Sequence, residues 1–417
     1  MPVKVMWILD FLSPAFARRL GLSAQASGSW AGSLQAALPA GAMDLTICCF
    51  SPALTAPCHE EIDGTRYIGL PAADRAALAE TLAAQQPDLI QLFGTENDHA
   101  PWVLELFDPE KVLVYIQGLA GPCGEHMADG LPPRFLRRQP LKEALAKRTG
   151  GLTVRGHCQR FLDRGVRERA VLAKARHILG RTDWDKAYCA RYAPGAEYHH
   201  LPEIMRSEFY AGGWQRQNAQ PHRLFVSQGN VPLKGLHRAI EALPALAQRW
   251  PDVQLYVAGW PPPDKGPLLR PLIHWLAEYP GYLDGLARRL KVSDRIHYTG
   301  VLSAEGMRQQ FLLAETYLLC SSIENSPNSL GEAMLTGVPC AAAAVGGVPS
   351  MMSEKEGELF DPDAPGALAD AVAALWADPA KAEEKAAAAR TRALAVHDPK
   401  AVADALLELY RRLCPGG

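Results

Sequence analysis

The chain has no apolar run approaching the roughly 18 residues a membrane-spanning helix needs. Its amino-terminal apolar stretch, 3–9, stops at Asp10 and is too short for the hydrophobic region of a secretory signal. Neither sign of charge is in excess, with 43 Lys and Arg against 45 Asp and Glu, so no overall basic field argues for nucleic acid as a partner. No two cysteines have the C-x-x-C spacing of a zinc or redox site, and no His/Cys/Asp/Glu cluster has metal-ligand spacing. The nine cysteines are odd in number, scattered, and in several cases inside apolar runs, which indicates a reducing compartment and a cytoplasmic protein. Cys48 and Cys49 are expected on opposite sides of one strand. No strand-like run is followed by G-x-G-x-x-G with a downstream acid, which argues against a dinucleotide-dependent oxidoreductase.

What is present is alternation. At 417 residues two domains are expected. In the first half, apolar runs at 3–9, 45–49, 67–70, 89–93, 112–117 and 177–179 alternate with helical patterns such as 72–84 and 156–173. In the second half, strands are expected at 223–227, 253–258, 295–299, 316–320 and 340–344, and the first helix carries Leu236, Ile240, Leu243, Leu246 and Trp250 on one face. Such alternation predicts parallel sheets covered on both faces, with ligands beyond the carboxyl ends of strands. Between the halves, 209–222 has no periodicity and reads as a linker. The tail from Asp363 reads as three Ala-rich helices broken at Asp378-Pro379 and Asp398-Pro399, with 380–395 a solvent-facing helix.

Residues 317–339 hold the most specific local pattern. An apolar run ends at Cys320, Ser326 and Pro327 read as N-cap and first helical residue, and Gly337 before Pro339 closes the helix. The loop thus meets a helix N-terminus, where backbone N–H groups and the helix dipole favour an anion, flanked here by Glu324 and Glu332.

Glu324 and Glu332 at E-x7-E spacing, Gly337-Val338-Pro339 and Val345-Gly346-Gly347-Val348-Pro349 resemble the signature of retaining, nucleotide-sugar-dependent glycosyltransferases of the group 1 (family 4) type. The resemblance continues in order through Lys234-Gly235-Leu236, Val257-Ala258-Gly259, Tyr298-Thr299-Gly300 and Leu302-Ser303. It implies the GT-B fold, an α/β architecture of two facing Rossmann-like, doubly wound domains. Residues 1–208 would be the acceptor side, 209–222 the linker and 223–396 the nucleotide-sugar-binding domain, with a final helix in 397–417 that could pack on either. It also implies roles. Glu324 would meet the donor sugar's hydroxyls, Glu332 the ribose hydroxyls, and Lys234 the diphosphate, which the backbone of Asn328, Ser329 and Leu330 would cradle. Departure of a nucleoside diphosphate leaves negative charge on phosphate and positive charge at the anomeric carbon, so preorganised donors and a polar grip on the sugar suit the chemistry. By the family's front-face mechanism the leaving phosphate takes the acceptor proton. No metal and no cofactor are then expected besides the co-substrate, a UDP- or GDP-sugar.

Two positions depart from the pattern. Where the family commonly has arginine five residues before the lysine, this chain has Gly229; Arg181, Arg206 or a directly approaching loop backbone could substitute. Where many relatives have a histidine after the strand at 112–116, this chain has Gln117, with His126 a nearby substitute. Glu96, His99, Arg181 and Asp185 are expected on the acceptor side, although Thr182 with Asp185 also reads as a capping box. Between Arg134 and Arg148 six basic residues accompany the single Glu143, which suits either a solvated helix or a peripheral contact with the inner face of a membrane. The reaction expected is sugar transfer to a glycan or lipid-linked acceptor in surface polysaccharide or glycoconjugate synthesis. A catalytically silent sugar-nucleotide-binding subunit and a GT-B nucleotide-sugar epimerase are the alternatives.

Overall fold

The computed structural model describes residues 2–22, 29–72, 74–148, 152–263, 266 and 268–415, with Ser29 and Ile273 described by backbone alone. Two compact units form. The first gathers Met1–Gly121, Asp163–Arg206 and Val396–Gly417, and the second Pro122–Leu162 and Ser207–Ala395.

The strands of the first unit are β1 (Lys4–Leu9), β2 (Asp44–Ser51), β3 (Cys58–Ile62), β4 (Thr65–Pro71), β5 (Leu89–Phe93), β6 (Val112–Tyr115), β7 (His177–Gly180) and β8 (Glu197–His200). They lie in the order β3-β4-β2-β1-β5-β6-β7-β8, parallel throughout except for the β3–β4 pair. Continuous apolar runs bury both faces, as a covered parallel sheet requires. Cys48 packs with Met6, Ile8 and Ile90 in one apolar cluster, whereas Cys49 packs with Val5, Trp7 and Leu89 in the other, as their period-2 placement predicts. The Pro399–Leu413 helix sets Val402, Leu406 and Tyr410 into this second cluster, and the Trp7 indole N–H donates to Tyr410 Oη at 2.9 Å. Two strands lie where no strand was expected. β3 and β8 are edge strands with polar, part-exposed sequences, so their existence depends on a neighbour's hydrogen bonds and not on an apolar run. β6 also ends at Tyr115, two residues before the expected limit.

In the second unit β9 (Arg223–Val226), β10 (Gln254–Val257), β11 (Ile296–Tyr298), β12 (Thr316–Leu319), β13 (Cys340–Ala343) and β14 (Glu358–Phe360) form an all-parallel sheet ordered β11-β10-β9-β12-β13-β14. β14, short and at an edge, also escaped the sequence pattern. The Leu236–Arg249 helix buries Leu236, Ile240, Leu243 and Leu246. The tail breaks into helices at Asp378 and Asp398 as expected, but Pro379–Val396 is not wholly solvent-facing. Ala382, Ala386, Ala389 and Ala393, spaced three or four apart, are buried, because a methyl stripe permits close helix approach.

Strand order reverses between β1 and β5 in the first sheet and between β9 and β12 in the second. Carboxyl-end loops separate at such points, and this is where open α/β sheets bind ligands.

Candidate active site

The switch point of the second unit brings together residues distant in sequence. After β9 a short 3-10 turn, Pro232–Lys234, ends in Gly235, whose φ of +68° is left-handed. A Cβ at Gly235 would overlap the Cys320 carbonyl oxygen, and Leu233 O accepts from Ser322 N at 2.8 Å. Glycine therefore lets the Lys234 turn lie against the end of β12. The loop after β12 is clasped from its other side. Gly346, with φ of +53°, has its vacant Cβ position against the Glu324 carbonyl oxygen, to which Gly347 N also donates at 2.9 Å.

Between these clasps Lys234 Nζ donates to Glu324 Oε1 at 2.6 Å, and Ser321 Oγ donates to the same oxygen at 2.6 Å. Glu324 Oε2 has no protein donor among the described residues, so this largely buried carboxylate keeps an acceptor for a hydroxyl. Tyr317 Oη, on β12, meets Ser227 Oγ beyond β9 and donates to Ser329 Oγ, both at 2.9 Å. That bridge ties the first turn of the Asn328–Thr336 helix to the two central strands. Burial raises the Tyr317 phenol well above its ordinary range, so it stays a neutral donor.

The helix start differs from expectation. Pro327 is the N-cap, without a side-chain bond, and Ser326 Oγ instead points at Met351 Sδ, 3.6 Å away. The Leu330 amide closes the turn onto Pro327 O at 2.9 Å, so of the three expected cradle residues only Asn328 and Ser329 keep amides with no protein acceptor among those described. Asn328 Oδ1 is buried without a hydrogen-bond partner. Glu332 is buried one turn further along, and Gly337, with φ of +89°, closes the helix as expected.

Gly229 lies after β9 with no room for a side chain. A Cβ there would come 2.5 Å from Val257 Cγ1 and 2.7 Å from Leu236 Cδ2. A different arginine, missed in the sequence, lies nearby. Arg238, in the first turn of the Leu236–Arg249 helix, is buried and donates to Ser322 Oγ at 2.6 Å and Asp363 Oδ1 at 2.9 Å. Its spacing from Lys234 was the available signal. His126 closes the Ala120–His126 helix, half exposed, with Nδ1 2.7 Å from Asp129 Oδ2.

In the first unit, Glu96 follows β5 at the switch point and accepts from Thr95 N at 2.9 Å. Burial raises its carboxyl above the usual range, with Asp10 adding to the rise. Asp10, overlooked as a site residue although it directly follows β1, also contacts the Asn97 side chain and lies near Arg164. Gln117 follows β6, and its Nε2 is buried without a hydrogen-bond partner. Arg181 does not offer an open cation. Its guanidinium donates to Ile116 O at 2.7 Å and Gln117 O at 2.9 Å and pairs with Glu203 Oε1 at 2.8 Å. Asp185 completes the expected capping box with Thr182, and His99 stacks on Phe50 at 4.3 Å with burial lowering its pKa to about 4. Each thus has a structural partner, while His99 Nε2 is buried without a hydrogen-bond partner. One cluster was invisible in the sequence. Paired strands place His177, Glu197 and His199 on one face, with His177 Nδ1 3.2 Å from His199 Nε2. Arg412 donates to His199 Nδ1 at 2.8 Å, which accounts for this contact by hydrogen bonding alone.

Two doubly wound parallel sheets, each with polar loops at its switch point, define the GT-B class. Sucrose-phosphate synthase from Thermosynechococcus elongatus shares the fold at a TM-score of 0.70 and 19% identity, with 99% of this chain and 100% of that one covered. Anabaena HepE, solved with UDP, does so at 0.66 and 15% identity, covering 98% and 100%. Residues 214–392 match the model for glycosyl transferases group 1. It is 34% identical over 161 residues to a D-inositol 3-phosphate glycosyltransferase of Mycolicibacterium vanbaalenii, covering 38% of this chain and 34% of that protein. It is 26% identical over 223 residues to a GDP-mannose-dependent phosphatidylinositol monomannoside mannosyltransferase of Mycolicibacterium smegmatis, covering 50% and 54%. The matches thus span about a third to a half of these curated relatives. Among the described residues no helix is long and apolar enough to cross a membrane.

Proposed function

We propose that the protein is a retaining glycosyltransferase that moves a sugar from a nucleoside-diphosphate sugar to a glycan or lipid-linked acceptor, with the second unit holding the donor and the first serving the acceptor. The Lys234–Glu324 pair beside the open amides of Asn328 and Ser329 carries this reading. A diphosphate at the helix start would take those two amides and draw the Lys234 ammonium toward it. Glu324, released from part of its pairing, would then accept from sugar hydroxyls, and Glu332 from the ribose. Preorganised positive charge at the leaving phosphate favours departure, and that phosphate takes the acceptor proton, so no enzyme nucleophile is needed. Gly229 adds no cation, so in this reading Lys234 and the helix start, with Arg238 behind the Ser322 loop, supply the positive charge. Arg181 serves as a positioning residue for the Gln117 loop, whose free amide faces the remaining specificity task, and His126 is the ring available in the second unit. The relatives' GDP-mannose and UDP ligands make these two nucleotides the first donors to try.

A thermal-shift screen of UDP-, GDP- and ADP-sugars should raise the melting temperature with one nucleotide class. With that donor, Lys234→Ala and Glu324→Ala should each lower transfer about 100-fold or more, and the anomeric configuration of the product should match the donor's. Full activity in either variant would overturn the assignment. Gly229 favours one rival, a binding subunit without turnover, and nucleotide binding with no transfer to a broad acceptor panel would establish it.

A further inference from the structure

The Pro140–Arg148 helix is patterned opposite to an ordinary surface helix. It buries Lys142 and exposes Leu141, at 76% of its full accessibility. The buried lysine is an anchor. Its Nζ donates to Glu278 Oε1 at 2.9 Å and lies 5.5 Å from the Trp275 ring, while Glu278 Oε2 accepts from Val154 N at 2.5 Å. The Phe135 ring packs edge-on against Tyr282 at 5.3 Å. These contacts fasten residues 133–148 and Val154 onto the helices Arg270–Leu276 and Glu278–Arg289. The first of these two helices, with the turn that precedes it, is equally inverted. Leu268 is 94% exposed, and Leu272 and Trp275 continue its stripe at helical spacing.

The segment that carries Leu141 is also basic, and Arg134 lies over the Phe135 and Tyr282 rings at 5.3 and 5.9 Å. Arg134, Arg137, Arg138, Lys147 and Arg148 are exposed, and none of the last four has an ion pair among the described residues. The acids are neutralised within the unit, Glu143 by Arg155 at 3.1 Å and Glu278 by Lys142. Exposed leucines with a tryptophan, beside a segment of uncompensated cations, match the headgroup and acyl boundary of an anionic bilayer. A symmetric contact with a second copy would set like charges against each other.

We infer that this surface of the second unit docks on an anionic lipid bilayer, without crossing it. A lipid-linked acceptor in the proposed reaction would be met there. Binding to vesicles, however, needs neither donor nor acceptor, so its failure would leave the transfer reading intact. The full-length protein should co-sediment with vesicles of phosphatidylcholine and phosphatidylglycerol, not with phosphatidylcholine alone, and raised salt should release it. The double variants Leu268→Ser with Leu272→Ser, and Arg137→Glu with Arg138→Glu, should each weaken partitioning roughly tenfold or more. Their melting temperatures and donor-induced thermal shifts should stay at the parent values, which separates lost docking from lost folding. Absence of vesicle binding, equal binding to both vesicle types, or a solution dimer dissolved by the leucine variants would overturn the inference.

Discussion

Glu168 is completely buried, and its carboxylate holds the loop that follows β6. It accepts from Ala120 N at 2.6 Å, Gly121 N at 3.3 Å and Tyr188 Oη at 2.8 Å. Burial raises its pKa from 4.5 to about 7 despite those three donors. Below the lower value the group is protonated in both the folded and unfolded chain and adds no pH dependence. Between the two values the unfolded chain releases its proton while the folded unit retains it, so stability falls as pH rises, by on the order of 3 kcal/mol in all. Glu168→Gln should remove that slope while lowering stability at pH 5 by about 1–3 kcal/mol, because the protonated acid still offers an oxygen to Ala120 N, where an amide NH2 would set donor against donor. Melting curves of both proteins across pH 5 to 8 check this, and parallel curves would refute the assignment. Donor binding, proposed to rest on Lys234 and Glu324, should be unaffected by the substitution.

At the level of elements, two left-handed glycines fix the candidate site more than any side chain does. Gly346→Ala would strain φ and push on the Glu324 carbonyl, costing about 1–3 kcal/mol from the backbone alone. The expected signature is a lower melting temperature together with a smaller donor-induced shift, and an unchanged shift would show that the clasp does not set Glu324. The residues Lys234-Gly235 and Gly346-Gly347 were legible in the sequence because tight turns admit few residue types. The central strands were legible for a similar reason, since burial on both faces demands unbroken apolar runs. β3, β8 and β14 were not, because an edge strand is decided by a partner elsewhere in the chain. The same non-locality hid the joining of His177 to Glu197 and His199, the capture of Arg181 by the Gln117 loop, and the burial of Lys142 inside a segment that reads as uniformly basic. The mistaken N-cap at Ser326 has a smaller cause. Serine and the following proline are both good helix-start residues, and the tertiary setting chose the later start.

For the whole molecule, the path of the chain matters as much as its contacts. The first unit is assembled from three separated stretches, and its last contribution is the helix Pro399–Leu413. Val402, Leu406, Leu407, Leu409 and Tyr410 from that helix are buried in its core. At about 1.5–3 kcal/mol for each large apolar side chain, their loss would remove on the order of 10 kcal/mol, comparable with the whole stability of a typical domain. Deleting 397–417 should therefore unfold the first unit, as digestion of residues 1–121 by a protease would reveal, while the second unit keeps its nucleotide-induced thermal shift. Resistance of 1–121 in the truncated protein would refute this. The same threading sets an order of events on the ribosome. The sheet built from 1–121 and 163–206 lacks a wall of its core until 397–417 have emerged, whereas 122–162 and 207–395 emerge earlier. Nascent chains carrying a linker after residue 396, stalled so that 396 has left the exit tunnel, should thus protect the second unit before the first.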